Sequence, residues 1–159
     1  MGTHPHRLPR ESYRGTVSAS FSLCIAGRKQ AFLDEVLVDT FISVLRQIAE
    51  KREFRGIYCF MPDHLHLILL GINEQSDVLR AVVDFKQRSG YWLKHERPIF
   101  AWQKSFHDHL IRAQELGVHV RYVLDNPVRK GLVREWREYR FIGAIGMDLE
   151  TFLEGMGPD

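Results

Sequence analysis

From Thr16 to Ala26, TVSASFSLCIA, apolar and polar residues alternate, so Val17, Ala19, Phe21, Leu23 and Ile25 share one face. A period of two predicts a half-buried strand. From about Gln30 to Lys51 the period lengthens. Leu33, Leu37, Phe41, Leu45 and Ile48 recur at helical spacing among Asp, Glu, Arg and Gln, and Lys51, Arg52 and Arg55 follow at the end that the helix dipole favours for positive charge. Gly56 to Gly71, GIYCFMPDHLHLILLG, carries strand-forming residues on both sides of Pro62-Asp63. That pattern predicts a β-hairpin with an unusually apolar second arm. Val78, Val82 and Phe85 mark a second helix, capped by Ser76 or Asp77 and running to about His95. Beyond Pro98, Phe106 to Arg112 alternates as a fourth strand. Gln114 to Asp125 then returns to helical spacing through Leu116, Val120, Val123 and Leu124, and Asn126-Pro127 is expected to stop or kink that helix. The order β-α-β-β-α-β-α predicts an α+β protein: a ferredoxin-like antiparallel sheet with helices on one face, plus a C-terminal helix. The other face of the sheet is left to carry a site.

With 159 residues, one domain with a real core is expected. The expected division is a flexible polar arm over 1–15, a main domain over 16–133 and a tail over 134–159. In the tail, Trp136, Tyr139, Phe141 and Ile142 are expected to pack back on the sheet, with a short helix over Asp148 to Glu154. The net charge is only +2 and the pI about 8.6, so any nucleic-acid surface must be a local patch. Cys24 and Cys59 sit in apolar strand-like runs and read as reduced core thiols, which favours a cytoplasmic setting. The N-terminus has no apolar signal-peptide region, and no run is long enough to span a membrane.

The candidate chemistry starts in the hairpin. On a strand, His64 and His66 point the same way while Leu65, Leu67 and Leu69 point to the other face. Two parallel imidazoles on a stiff strand are half of a metal site, or simply two hydrogen-bonded rings. His107 and His109 form a second His-x-His that rivals the first by spacing alone; its flank is less apolar, so it reads as structural or as lining a path beside Arg112. On the third helix, Tyr122 and Asn126 lie four apart on one side, off the apolar stripe. Two nitrogens and an amide oxygen would leave room on a divalent ion for a substrate oxygen, and a phenol beside that ion is a candidate nucleophile. Lys86 and Arg88 give the second helix a basic surface interleaved with Tyr91 and Trp92, while Arg121, Arg129 and Lys130 make the region around Tyr122 basic. Such residues suit a single-strand binding surface, and they equally suit solvated helix faces.

At this point the chain resembles the single-tyrosine HUH transposases, insertion-sequence enzymes of the IS200-like type, and among them the REP-associated tyrosine transposases. The residues that carry the resemblance are MPDHLHLIL at Met61–Leu69, WQKSFHDHLIR at Trp102–Arg112 and YVLDNPVRKGLV at Tyr122–Val133. With the helix containing Phe85-Lys86, the similarity spans roughly Thr16 to Val133. The resemblance implies a metal-dependent enzyme that cleaves and rejoins single-stranded DNA at hairpin-forming sites. It also implies roles: Tyr122 as nucleophile forming a 5′-phosphotyrosine, and His64, His66 and Asn126 as ligands of Mg²⁺ or Mn²⁺. Spacing alone would admit Zn²⁺ or Ni²⁺ as well. Lys86, Arg88, Arg112, Arg121, Arg129 and Lys130 are the expected DNA contacts. The expected partner is single-stranded DNA with a REP-like stem-loop, handled by a monomer or homodimer. The alternative is a domesticated protein that binds DNA hairpins without cutting them. The tail after Val133 departs from the Trp- and Ser-rich tail the family often shows.

Overall fold

The computed structural model describes residues 8–157. In chain order the elements are β1 (Ser18–Cys24), α1 (Glu35–Arg52), β2 (Phe54–Met61), β3 (His64–Gly71), α2 (Val78–Glu96), β4 (His107–Ile111), α3 (Leu116–Arg129), β5 (Ile142–Ile145) and α4 (Leu149–Met156). The sheet runs β4-β1-β3-β2-β5, antiparallel at every step. The first four strands have the expected ferredoxin-like order, in which each crossover through α1 or α2 skips one strand. No helix among the described residues is long and apolar enough to cross a membrane.

The two faces of the sheet are covered differently. Ala19, Phe21 and Leu23 of β1, Tyr58 and Phe60 of β2, and Leu65, Leu67 and Leu69 of β3 are buried with Leu37, Phe41 and Leu45 of α1 and Val78, Val82 and Phe85 of α2 in one core. Leu33, expected on the buried stripe, lies before α1 and is exposed. The opposite face carries Ile57, Cys59, Met61 and Ile68, and α3 lays Val120, Val123 and Leu124 on it. So α1 and α2 share one face, and α3 occupies part of the other. Each fully buried aliphatic side chain contributes about 1.5–3 kcal/mol, which is enough to hold α3 down as a fixed support.

Asp34 shows how the helical layer is tied together. It caps α1 by accepting from the Leu37 amide at 3.1 Å, and it also accepts from Arg97 Nε, at the end of α2, at 2.7 Å. The Arg97 guanidinium is the main reason its carboxyl titrates below the ordinary 3.8. Asp34→Ala is expected to lower stability by about 1–2 kcal/mol, mostly through the lost cap. Because the folded protein holds this proton more weakly than the unfolded chain does, the contribution is complete above pH 3.8 and fades as the pH falls through the lowered value. Urea unfolding of the two proteins should show a gap at pH 7 that narrows below pH 3.8.

Three expectations need revision. Of the lead-in, residues 1–7 lie outside the described residues, but from Arg10 onward it is docked rather than loose. Arg10–Tyr13 form a 3-10 turn, Tyr13 is buried in the core, and its hydroxyl donates to Asp108. The tail does pack back on the sheet, and it also supplies the fifth strand, β5, on the open edge of β2. Gly143 of β5 faces the Tyr58 ring so closely that any Cβ would collide with it. Finally, Asn126-Pro127 does not end α3, which runs on through Pro127 to Arg129. Pro127 lacks an amide proton, so α3 carries on past it without a bond from that residue to the preceding turn. The stop comes at Gly131, whose φ of 73° is left-handed. The Gly131 amide donates to Val128 and the Leu132 amide to Pro127, both at 2.9 Å, closing a Schellman cap. The extra turn keeps Asn126 helical, on the same flank as Tyr122.

Candidate active site

The tight turn at Pro62-Asp63 brings His64 to the first position of β3. Its Nδ1 lies 2.6 Å from Asp63 Oδ1. Burial acts upward on the Asp63 carboxyl, but hydrogen bonds from Arg28 and His64 outweigh it and hold the group below its ordinary value. A carboxylate on Nδ1 fixes the ring and turns the Nε2 lone pair outward, as in metal-ligating histidines. His66 follows on the same face, with its Nδ1 3.5 Å from Ser22 Oγ. The two Nε2 atoms stand 3.1 Å apart, with the rings nearly perpendicular at 87°. Two nitrogens bound side by side to one ion at about 2.1 Å would be separated by about 3.0 Å. Burial, then the neighbouring His64 and Arg129, push the His66 imidazole down to about 4, so it is neutral and free to donate its lone pair at ordinary pH. Cys59, paired with His66 in the register, is fully buried, and burial pushes its thiol up to about 12.

Asn126 is buried, at 4% exposure. Its Oδ1 accepts from Arg129 at 3.3 Å, and its Nδ2 is buried with no hydrogen-bond partner among the described residues. A half turn of the amide exchanges the two atoms and puts a carbonyl oxygen in the unpartnered position. Two aligned imidazole nitrogens and an unpartnered buried amide are donor types that a divalent cation takes.

Tyr122 is 59% exposed. The Arg129 guanidinium lies over its ring at 3.9 Å. Tyr122 stands on a crest between two depressions. On one side a small cleft of about 200 Å³ is lined by His66, Ser22, His107, His109, His119 and Tyr122. On the other, a groove of about 800 Å³ runs between α3 and the C-terminal segment, lined by Arg121, Tyr122, Arg129 and Trp136 among others. Tyr122 is therefore not sunk in the core, and it shares the lining of the small cleft with His66.

The other basic residues separate into two groups. Arg121 and Arg129 line the groove beside Tyr122, and Lys130 caps α3 at its exposed end. Arg121 also donates to the Gly157 carbonyl at 2.7 Å. Arg112 lies exposed just past β4. Lys86 and Arg88 belong to the helical layer on the opposite face: Lys86 donates to the Lys104 carbonyl at 2.6 Å and Arg88 to the Gln47 side chain of α1. The structure does not bring these two to the histidines.

Both His-x-His pairs point to one face. Ser22 of β1 is paired on one side with His66 and on the other with His107, so the pairs lie two strands, roughly 10 Å, apart across a serine row. Sequence reasoning missed Asp63, taken only as a turn signal, although a carboxylate next to a histidine could have flagged it. It also missed Ser22 and His119, which only strand register and helix docking bring to the cleft.

Comparison with known proteins identifies the family. Residues 16–126 match the family model described as "Transposase IS200 like". A protein of Haemophilus influenzae, named as a candidate REP-associated tyrosine transposase, is 28% identical over 156 residues, covering 87% of this chain and 88% of that one. A solved REP-associated tyrosine transposase bound to a REP hairpin has a TM-score of 0.73 at 20% identity, covering 88% of this chain and 82% of that one. A candidate transposase from Deinococcus radiodurans gives a TM-score of 0.50 at 19% identity over 79% of this chain and 97% of that one. With its paired histidines, its tyrosine-bearing helix and a family match over most of its length, the chain belongs to the IS200-like transposases.

Proposed function

We propose that this transposase cleaves and rejoins single-stranded DNA at hairpin-forming sites through Tyr122, with a divalent cation held by His64, His66 and Asn126. The observation that carries the reading is that Tyr122 and His66 line one cleft, with the two Nε2 atoms 3.1 Å apart. A bound Mg²⁺ or Mn²⁺ would neutralise charge on the scissile phosphate. The chain's own residues account for the rest. The Tyr122 phenol gives up its proton and its oxygen forms a bond to phosphorus. The bond to the 3′ oxygen breaks, and that oxygen leaves with the electron pair and takes up a proton. The products are a 5′-phosphotyrosine and a free 3′-OH, and attack by a second strand's 3′-OH reverses the step. Phosphoryl transfer depends mostly on positioning and charge, and a phenol that gives up its proton is helped by a cation nearby. Arg129, stacked on the ring, provides one and helps to fix the phenol.

The groove holding Arg121, Arg129 and Trp136 would carry the strand, with charges for phosphates and an aromatic for bases. Lys130 and Arg112 extend the basic surface, while Lys86 and Arg88 would serve only DNA that wraps to the other layer. The solved relative is bound to a REP hairpin, which supports a stem-loop as substrate here. The shared cleft supports Tyr122 acting with its own chain's histidines, in a monomer. The test is a denaturing gel of labelled hairpin DNA incubated with protein and Mn²⁺. A protein-linked band supports the reading. A shift without cleavage would make this a hairpin-binding protein, and cleavage without linkage would make water the attacking group.

A further inference from the structure

A second cluster of ligating side chains lies at the other end of the cleft. His109 on the edge strand β4, Glu115 in the 3-10 turn Ala113–Glu115 and His119 at the start of α3 each offer one ligand atom, and these lie within 4.8 Å of one another. The rings of His109 and His119 are stacked, 5.2 Å apart at 25°. His109 is exposed, and Glu115 and His119 are half-buried. Among the described residues, none of the three side chains is engaged in a hydrogen bond or ion pair. Three groups with lone pairs thus converge without satisfying one another. Bound to one ion at about 2.1 Å, their ligand atoms would stand about 3–3.5 Å apart, a closure that side-chain rotation at a half-exposed site can supply.

We infer that His109, Glu115 and His119 form a second metal site, separate from His64 and His66, that takes a transition-metal dication of the Zn²⁺ class. Two imidazoles and one carboxylate are a Zn²⁺ donor set, whereas Mg²⁺ prefers oxygens and keeps its water. The ion would join three successive pieces of chain: the outermost strand, the connecting turn and the first part of α3. His119 is three residues before Tyr122, and both line the cleft that holds His66. On the reading of Tyr122 as nucleophile, the ion acts as a positioning device: it clamps the start of the helix that presents the phenol and fixes its rotation relative to the sheet.

The test uses the full chain, stripped of metal by chelation and titrated with Co²⁺ as a visible-absorbing probe for Zn²⁺. In a His64→Ala/His66→Ala background, one Co²⁺ per chain should still bind and give d–d bands. Adding His109→Ala or His119→Ala should weaken that binding at least about 100-fold, beyond the range of outer-shell changes. Glu115→Gln, which keeps the shape and removes the charge, should weaken it by about 10-fold. Zn²⁺ should raise the melting temperature of the background protein and leave that of the His119→Ala derivative unmoved. Absence of Co²⁺ binding in the background variant, or binding unaffected by both His109→Ala and His119→Ala, overturns the site. If the background variant fails to fold, the otherwise native chain decides: His119→Ala should remove one bound Co²⁺ per chain, and an unchanged stoichiometry overturns the inference. Loss of the DNA adduct reading would appear in the hairpin gel and leave these titrations intact.

Discussion

Tyr122→Phe should retain hairpin binding and lose covalent adduct formation by at least about 10⁴-fold, the scale of removing a nucleophile from a concerted site. The substitution deletes one oxygen. The ring under the Arg129 guanidinium stays in place, so the packing of α3 and the basic groove are preserved. Tyr122 is more than half exposed and α3 is held by Val120, Val123 and Leu124, so the change should not unfold the protein. Filter binding and the Mn²⁺ gel, run on the same preparation, separate the two effects. A protein-linked band of normal intensity from the Phe variant would transfer the role to another residue. Among the other tyrosines, Tyr13 and Tyr58 are buried, and Tyr139 donates to the Phe60 carbonyl at 2.6 Å while burial raises its pKa. Tyr91, exposed on α2, would be the next to examine, and its place on the opposite layer makes it a poor partner for the histidines.

His66→Ala should lower the adduct rate at limiting Mn²⁺ by about 10²–10³-fold, comparable to removing one electrostatic stabiliser from a preorganised site. The loss should be partly recovered at high Mn²⁺, because His64 and Asn126 remain. Chelator should abolish the adduct in the unaltered protein. The expected effect is large because the position is specialised: the ring is kept neutral by burial, its Nε2 is aligned with that of His64, and no other described side chain offers a nitrogen at that point on β3. His64→Ala should behave similarly, while Asp63→Asn should give a milder loss, since it releases the His64 ring without removing it. An adduct rate in His66→Ala that matches the unaltered protein across the Mn²⁺ titration would remove the metal from the proposal.

The parts legible in the sequence were those set by local period. The alternation in β1, the helical stripes of α1 and α2, and the hairpin around Pro62-Asp63 all lie where their patterns predict, because each buries one continuous face. The pairing of Tyr122 with Asn126 was legible for the same reason, since four residues make one helical turn. Features that depend on distant parts of the chain were not. β5 is four residues, IGAI, too short and too poor in alternation to announce itself, and it exists because Gly143 allows the close approach to Tyr58. The end of α3 was placed too early because Pro127 is a strong local signal, whereas the stop is the left-handed Gly131. The clustering of His109, Glu115 and His119 depends on how α3 turns back over the edge of the sheet. In the site itself, residue identity could be read along one strand and one helix. That His66 and His107 flank Ser22 and line one cleft with Tyr122 is a property of register and helix docking.

The family match ends at residue 126, well before β5, yet β5 covers the open side of β2, an almost wholly buried strand. A chain trimmed to the matched region would present the backbone donors and acceptors of that strand to solvent beside apolar side chains, an invitation to pair with a second copy. The smallest portable unit for fusion or grafting therefore extends beyond the recognisable catalytic segment and has to include the residues through Ile145 that close the sheet.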